Sequence, residues 1–271
     1  MPRARIYNTE AIVLRASPLG EADRLLTLLT PGMGKLQATA RGVRKPTSKL
    51  GGHLDLLTRS SLTLAKGQSL DTITGAEAQE TFPLVKGNLE RLSRAIYMAE
   101  LMDSFSPLEA PSPPVYTLFL EGLRGLGIEA DSDLLLRYVE LQLLGFSGFL
   151  PELQRCAECH GQLAPSRHLW SPAAGGVVCP ACSGSPSGAT NLSLNGLKVI
   201  RFLSTATAAS ATMVRVNAPL HRELAAIMDA YLRYTLEREL RSVAFLRSVS
   251  RAKAYAGLPP SGNESEVPAG H

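Results

Sequence analysis

Gly34-Lys-Leu-Gln-Ala-Thr-Ala-Arg-Gly-Val-Arg-Lys45 decides how the first third of the chain folds. Its first half alternates cleanly. Leu36, Ala38 and Ala40 share one face, while Lys35, Gln37, Thr39 and Arg41 share the other, the period of a strand with one side buried. Gly42 breaks the alternation and opens a loop. Upstream, the Pro31-Gly32-Met33-Gly34 turn separates this strand from the apolar run Leu25–Leu29, and a Pro18/Gly20 turn separates that run from Ala11–Leu14. Downstream, Leu54, Leu56, Leu62 and Leu64 keep the period of two, and Leu70–Thr74 follows a Lys66-Gly67 turn. Five short strands joined by glycine-rich turns predict a small barrel or sandwich. An OB-fold is one candidate, and periodicity alone does not choose it.

The same stretch carries the charge that matters. From Lys35 to Lys49 there are five basic residues and no acidic one: Lys35, Arg41, Arg44, Lys45 and Lys49. Lys35 and Arg41 are expected on the outward strand face, with the other three in the loop. That arrangement suits the phosphates of a nucleic-acid backbone, and a merely solvated loop is the plain alternative. The first 80 residues contain one aromatic, Tyr7, so stacking platforms for bases are missing there. DNA binding by this part should run through phosphates and tolerate single and double strands alike.

Beyond Phe82 the period becomes helical. Leu89, Leu92, Ile96 and Ala99 fall on one helix face, Val115–Leu126 makes a second helix, and Leu134–Gly145 a third that is apolar nearly all round. Asp131 or Ser132 is placed to cap the third helix. Two later helices are expected at Leu194–Thr205 and Leu220–Leu240. The parts read as a small barrel or sandwich over 1–80, a helical domain over 81–152, a cysteine module over 153–185, closing helices over 186–253 and a disordered tail over 254–271. Net charge follows this division, with +4 on residues 1–80, −5 on 81–152 and +5 on 153–271. The expected class is therefore α+β and multidomain.

All four cysteines lie in two CxxC pairs, Cys156-Ala-Glu-Cys159 and Cys179-Pro-Ala-Cys182, with 19 residues between them. One knuckle directs two thiolates at one ion, and two knuckles complete a tetrahedral site at zinc-ribbon spacing. Leu169–Ser171 and Gly175–Val178 would form the hairpin carrying the second knuckle. Cys159-His160 also makes a haem-type CxxCH, which would require export and leave the second pair unexplained. A thioredoxin-like pair needs a βαβ setting that is missing, and four reduced cysteines without metal are the remaining alternative. A closed four-thiolate zinc site leaves no position for water, so its role would be structural.

Enzyme motifs are missing. There is no G-x-S-x-G, no GxxxxGK[ST] and no HExxH, and Gly32–Leu36 has neither the spacing nor the hydroxyl of a phosphate loop. His53, His168 and His221 are isolated and read as surface or capping residues. No secretory signal and no membrane span stands out, because Arg137, Glu140 and Gln142 interrupt the most apolar stretch. The expectation is a cytoplasmic protein that is not an enzyme.

The combined motifs resemble the DNA repair protein RecO family. The likeness is carried by Glu10-Ala-Ile-Val-Leu-Arg15, Gly20-Glu-Ala-Asp-Arg-Leu-Leu-Thr-Leu-Leu-Thr30, Gly34-Lys-Leu36, Ala40-Arg-Gly-Val-Arg-Lys45 and Ser48-Lys49. It continues in Arg137-Tyr-Val-Glu-Leu-Gln-Leu-Leu144, in Gly148-Phe-Leu-Pro-Glu-Leu153 ahead of the first cysteine pair, and in Leu240-Arg-Ser242 with Phe245-Leu246. The resemblance implies an N-terminal OB-fold, a helical bundle and an embedded zinc finger. It implies a nucleoid-associated recombination mediator that anneals complementary strands without ATP. With RecR, such a mediator helps RecA displace the single-stranded-DNA-binding protein. It makes Lys35, Arg41, Arg44, Lys45 and Lys49 the candidate DNA contacts and Cys156, Cys159, Cys179 and Cys182 the zinc ligands. The other reading is a zinc-ribbon protein acting on RNA or in transcription.

Overall fold

Strand pairing resolves the choice between barrel and sandwich. β1 (Ile6–Leu19), β2 (Asp23–Thr30), β3 (Gly34–Ala40), β4 (Arg59–Ala65) and β5 (Asp71–Glu80) close in the order β1-β2-β3-β5-β4, with β4 pairing back onto β1. All pairs are antiparallel except the short parallel contact of β3 with β5 at Ala38–Asp71 and Thr39–Thr72. That closure is the OB-fold. The computed structural model describes residues 6–128, 131–182, 184, 188–211 and 213–256.

Alternation fills the barrel as the sequence predicts. Leu36, Ala38 and Ala40 of β3 meet Ala11, Val13, Leu26, Leu28, Leu62, Leu64 and Ile73 in one apolar core. Leu54 also plugs this core, but not from a strand. Residues Gly51–His53 form a 3₁₀ turn, and Leu57 takes a left-handed backbone (φ 60°). The Leu57 N–H donates to Val13 O and the Val13 N–H to Thr58 O, so this loop closes the barrel end. Period-two spacing over Leu54 and Leu56 therefore reflects a folded loop, and β4 starts only at Arg59.

The outer face of the barrel is half covered. Ile12, Leu14, Leu29 and Leu57 belong to the core of the helical domain, not to that of the barrel. This domain contains α1 (Pro83–Lys86), α2 (Leu89–Phe105), α3 (Pro113–Gly127) and α4 (Ser132–Phe146), then α5 (Leu194–Thr205), α6 (Ala208–Ala211), α7 (Ala218–Leu236) and α8 (Arg241–Ala256). Its helix starts follow capping chemistry. Asn88, Asp131, Ser193 and Asn217 each accept backbone N–H bonds at the first turn of α2, α4, α5 and α7. As its all-round apolar pattern predicts, α4 is central, buried from Leu134 through Leu141. Its interior charges pair locally: Arg137 meets Glu140 at 2.8 Å, and the Tyr97 hydroxyl donates to Glu140 at 2.7 Å. Among the described residues no helix is long and apolar enough to cross a membrane.

Two boundaries move. α7 ends at Leu236, where Glu237 turns left-handed (φ 54°), and a separate α8 follows. α8 runs to Ala256, past the expected start of the tail at 254; residues 257–271 lie outside the described ones. So do Arg3 and Arg5, and residues 183 and 185–187 of the spacer.

A charged seam joins barrel to helices. Arg59 of β4 lies 2.6 Å from Glu10 of β1 and 2.5 Å from Glu80 of β5, and Glu80 meets Arg124 of α3 at 2.5 Å. The Tyr116 hydroxyl of α3 donates to Glu10. The Arg59 guanidinium holds Glu10 below the usual carboxylate range, and Arg124 does the same for Glu80, in both cases against burial.

Candidate nucleic-acid interface and metal centre

The basic stretch is split by the packing of the helical domain. At the covered end of β3, the Lys35 ammonium donates to the Asp103 carbonyl at 2.5 Å and to its carboxylate at 3.1 Å. The segment after α2 runs alongside, the Glu109 N–H donating to Lys35 O. Gly34 makes this approach possible, since an ideal Cβ there would sit 2.1 Å from Ala110 O. The expected outward, phosphate-facing Lys35 is thus corrected: its side chain is 13% exposed and committed to α2. Alternation gave its face correctly but not what lies over that face.

At the open end the other four candidates stay together. Val43 is buried in the barrel core and pins the loop after β3. The Gly42 N–H donates to the Asp23 carboxylate at 2.7 Å, and the Arg44 N–H to Ala22 O at 2.9 Å. Lys45 and Ser48 add turn bonds, so the loop is shaped by its own backbone. Arg41, Arg44, Lys45 and Lys49 are exposed on it. Arg44 spends one N–H on Gly20 O at 3.1 Å, and among the described residues none of the four forms an ion pair.

Arg15 is a further exposed cation, nearer the covered end, that was not singled out from the sequence. It lies on β1 opposite Thr27, 55% exposed, 3.9 Å from Asp103. A bulge between Val13 and Arg15 shifts the register there, which hides its face from a period-two reading.

The four cysteines converge. Their sulfurs all lie within 4.8 Å of one another, with Cys159 and Cys179 at 3.9 Å. Tetrahedral coordination with metal–sulfur bonds of ~2.3 Å places sulfurs about 3.8 Å apart, so the set fits one ion. The first knuckle closes through the His160 N–H to Cys156 O and the Cys156 N–H to Gly161 O. His160 is left-handed at that turn (φ 58°), part of the knuckle. The Cys179 N–H donates to the Cys156 sulfur at 3.3 Å. Burial opposes ionisation of Cys156, yet backbone N–H groups of Cys179, Cys159 and Glu158 bring its thiol down to about 6. Hydrogen bonding with Cys179 and Cys159 pushes Cys182 up to about 12, the competition expected of thiols that share a small volume.

The second knuckle follows the hairpin of β6 (His168–Ser171) and β7 (Gly176–Val178), with β8 (Thr190–Leu192) on the other edge of β6. This sheet does not have a core of its own. Trp170, Val177 and Leu192 are buried in the helical core, Trp170 against Tyr231 at 5.4 Å between centroids. Of the three histidines only His168 departs from the surface-or-capping reading, since His53 and His221 are half-exposed. His168 is buried, its Nε2 bonded to Ala164 O at 2.7 Å, and His53 Nδ1 accepts the Ala78 N–H. His221 meets Asp131, the α4 cap, at 2.9 Å.

Residues 3–82 match the family model described as Recombination protein O N terminal, and residues 86–244 match Recombination protein O C terminal. The chain belongs to the recombination protein O family. Proteins named DNA repair protein RecO are similar along most of their length. That of Dehalococcoides mccartyi strain BAV1 is 38% identical over 93% of this chain and 99% of its own. That of Roseiflexus sp. strain RS-1 is 40% identical over 91% and 87%, and that of Moorella thermoacetica 36% over 90% and 91%. The chain is thus a member of a family of DNA repair proteins, with an OB-fold, a helical domain and four cysteines able to hold a metal ion.

Proposed function

We propose that this chain is a non-catalytic recombination mediator that holds single- and double-stranded DNA by its phosphates at the open end of the barrel. The observation carrying this is the loop that displays Arg41, Arg44, Lys45 and Lys49 with no ion-pair partner among the described residues. Lys35 leaves the set of contacts. With RecR the chain would help load RecA on DNA coated by the single-stranded-DNA-binding protein, and it would anneal complementary strands. A cavity of about 470 Å³ between α4, α7 and α8 is the candidate seat for that protein's tail. Leu136, Val243 and Leu246 offer apolar contact there, and Arg222 and Arg247 offer charge. Zinc is the metal we assign to the cysteines, from the all-thiolate donor set and the tetrahedral fit. A closed site of this kind shapes the ribbon and does no chemistry.

The test is a salt titration. Each phosphate contact on duplex DNA contributes about −0.9 to the log–log slope. Replacing Arg41, Arg44, Lys45 and Lys49 by Ala together should flatten the slope by up to about three or four units, alike for all sequences. An unchanged slope in the folded variant rejects the loop as the DNA site. Failure of the wild-type chain to anneal strands coated with the single-strand binder would favour the RNA or transcription reading.

A further inference from the structure

We infer that Glu140 regulates the cavity between α4, α7 and α8: it takes up a proton when an anionic peptide settles on Arg137, so that binding and protonation are coupled. The inference rests on the reading of that cavity as the seat of a protein tail. It adds the charge of the occupant and the group that controls it.

Most charges around the cavity are already compensated. Asp133 of α4 is held by Arg94 of α2 at 2.6 Å, and Asp229 of α7 by Arg247 of α8 at 2.8 Å. His221 of α7 meets Asp131 at 2.9 Å. Arg222 is exposed and has no ion pair among the described residues. The remaining cation of the wall, Arg137, is 10% exposed, and its guanidinium lies 2.8 Å from Glu140. With Glu140 ionised, Arg222 alone is uncompensated among these groups; with Glu140 neutral, Arg137 joins it. Two such cations beside the apolar Leu136, Val243 and Leu246 suit a peptide that carries carboxylates among apolar side chains.

Glu140 is placed to respond. It is fully buried and bonds Arg137 and Tyr97, both of which line the cavity. The guanidinium and the Tyr97 hydroxyl approach the same oxygen, Oε1, at 2.8 and 2.7 Å. Oε2 is buried with no hydrogen-bond partner among the described residues. An unpaired oxygen away from water costs an ionised carboxylate far more than a neutral carboxyl. Burial pushes the Glu140 carboxyl up from its ordinary value, Arg137 and the Tyr97 bond oppose this, and Asp229 and Asp133 add to it. A ligand carboxylate that draws the Arg137 guanidinium towards the cavity weakens the main charge keeping Glu140 ionised. Burial then acts with less opposition, and a proton passes from solvent to the carboxyl. Neutral Glu140 in turn leaves Arg137 its full charge for the ligand, so each event favours the other.

The experiment measures binding of an N-terminally labelled peptide of alternating aspartate and leucine to the full chain with its metal. The range runs from about pH 5.5 to about pH 8.5, where the peptide carboxylates stay ionised. Wild-type affinity should fall as pH rises, by at most about tenfold per pH unit, the limit for one coupled proton. Heats of binding in buffers of different ionisation enthalpy should show the proton being taken up. Glu140→Gln keeps the shape of the neutral carboxyl. It should remove the pH dependence and, at the alkaline end, bind at least about threefold tighter than wild type, whereas damage to the fold would weaken binding. Tyr97→Phe, a second variant, removes a bond that favours the ionised form, so its affinity curve should move to higher pH. Wild-type binding that ignores pH, an unmoved Tyr97→Phe curve, or Glu140→Gln binding weaker throughout overturns the coupling and leaves the seat standing. A pH dependence that survives Glu140→Gln and disappears in His221→Asn gives the proton to His221 and likewise overturns it. A wild-type chain that binds the peptide at no pH overturns the seat and the coupling together, and leaves the DNA reading of the barrel untouched.

Discussion

The barrel and the cysteine ribbon are both small β modules, yet they are stabilised in opposite ways. The barrel has its own apolar core from five strands, and lends Ile12, Leu14, Leu29 and Leu57 to the helices. The ribbon gives Trp170, Val177 and Leu192 to the helical core and is otherwise organised around four sulfurs. Size is the reason. Three strands of three or four residues cannot enclose a core, so a metal held by the four sulfurs would supply what packing does not. A module that depends on both a metal and a neighbour should fail differently from one that depends on neither.

Metal removal is the largest expected effect. Structural four-ligand zinc sites bind with apparent energies on the order of 10 kcal/mol, which on the zinc assignment proposed above would be folding energy of the ribbon and part of the helical core. Chelation, or Cys156→Ser with Cys179→Ser, should red-shift the emission of Trp170, the one tryptophan of the chain, and lower the melting temperature. Emission and melting that ignore the chelator would show that the cluster is not structural. Next in size is the mirror experiment. Leu64→Ala in the barrel core should cost about 2–5 kcal/mol. It should open the barrel at lower denaturant while Trp170 emission holds until the helices unfold; one joint transition would erase the contrast.

The contrast was only partly legible in the sequence. Alternation over Leu36–Ala40 and helical spacing in α2, α3 and α5 identified elements because each has a buried and a more exposed side, and α4 showed itself by being apolar nearly all round. The CxxC spacing identified the four cysteines that converge because a knuckle is a local structure. What escaped depends on contacts between distant segments. Nothing near Lys35 announces Asp103, 68 residues later, and nothing near Trp170 says that its partners are helical. His168 was read as a surface or capping group, although it sits in the same buried sheet. Leu54 kept the strand period by coincidence, as its burial comes from a turn.

The way each module joins the helices sharpens the comparison through pH. The ribbon joins by apolar packing, the barrel also by the Glu10–Arg59–Glu80–Arg124 seam. Both carboxyls are held below their unfolded values, so their stabilisation is complete above the unfolded pKa of about 4.3 and is lost as pH falls through the lower folded values. Glu10→Gln with Glu80→Gln should therefore cost about 1–3 kcal/mol at pH 7, the range for partly exposed charge-assisted bonds. The difference from wild type should shrink as pH falls below about 4.3 and through the lower folded values. A cost that does not change as pH falls would mean that shape, not charge, holds the seam.

The smallest effect separates the two ends of β3 and tests whether the position of a cation decides its role. Lys35 lies near the start of β3 under α2, and Arg41 just past its end in solvent. Lys35→Ala removes a charged hydrogen bond to Asp103, which Arg15 and solvent can only partly replace, so about 1–2 kcal/mol of stability should go. Its DNA salt slope should stay where it was, because an ammonium held by a carboxylate neutralises no phosphate. Arg41→Ala should do the reverse, changing stability by less than about 0.5 kcal/mol and flattening the slope by about 0.9 if the residue meets a phosphate. Measuring both quantities on both variants gives four numbers, and only the crossed pattern supports the division. If Lys35→Ala flattens the slope as well, Asp103 must release it when DNA arrives, and the covered half of the barrel face would belong to the binding surface after all.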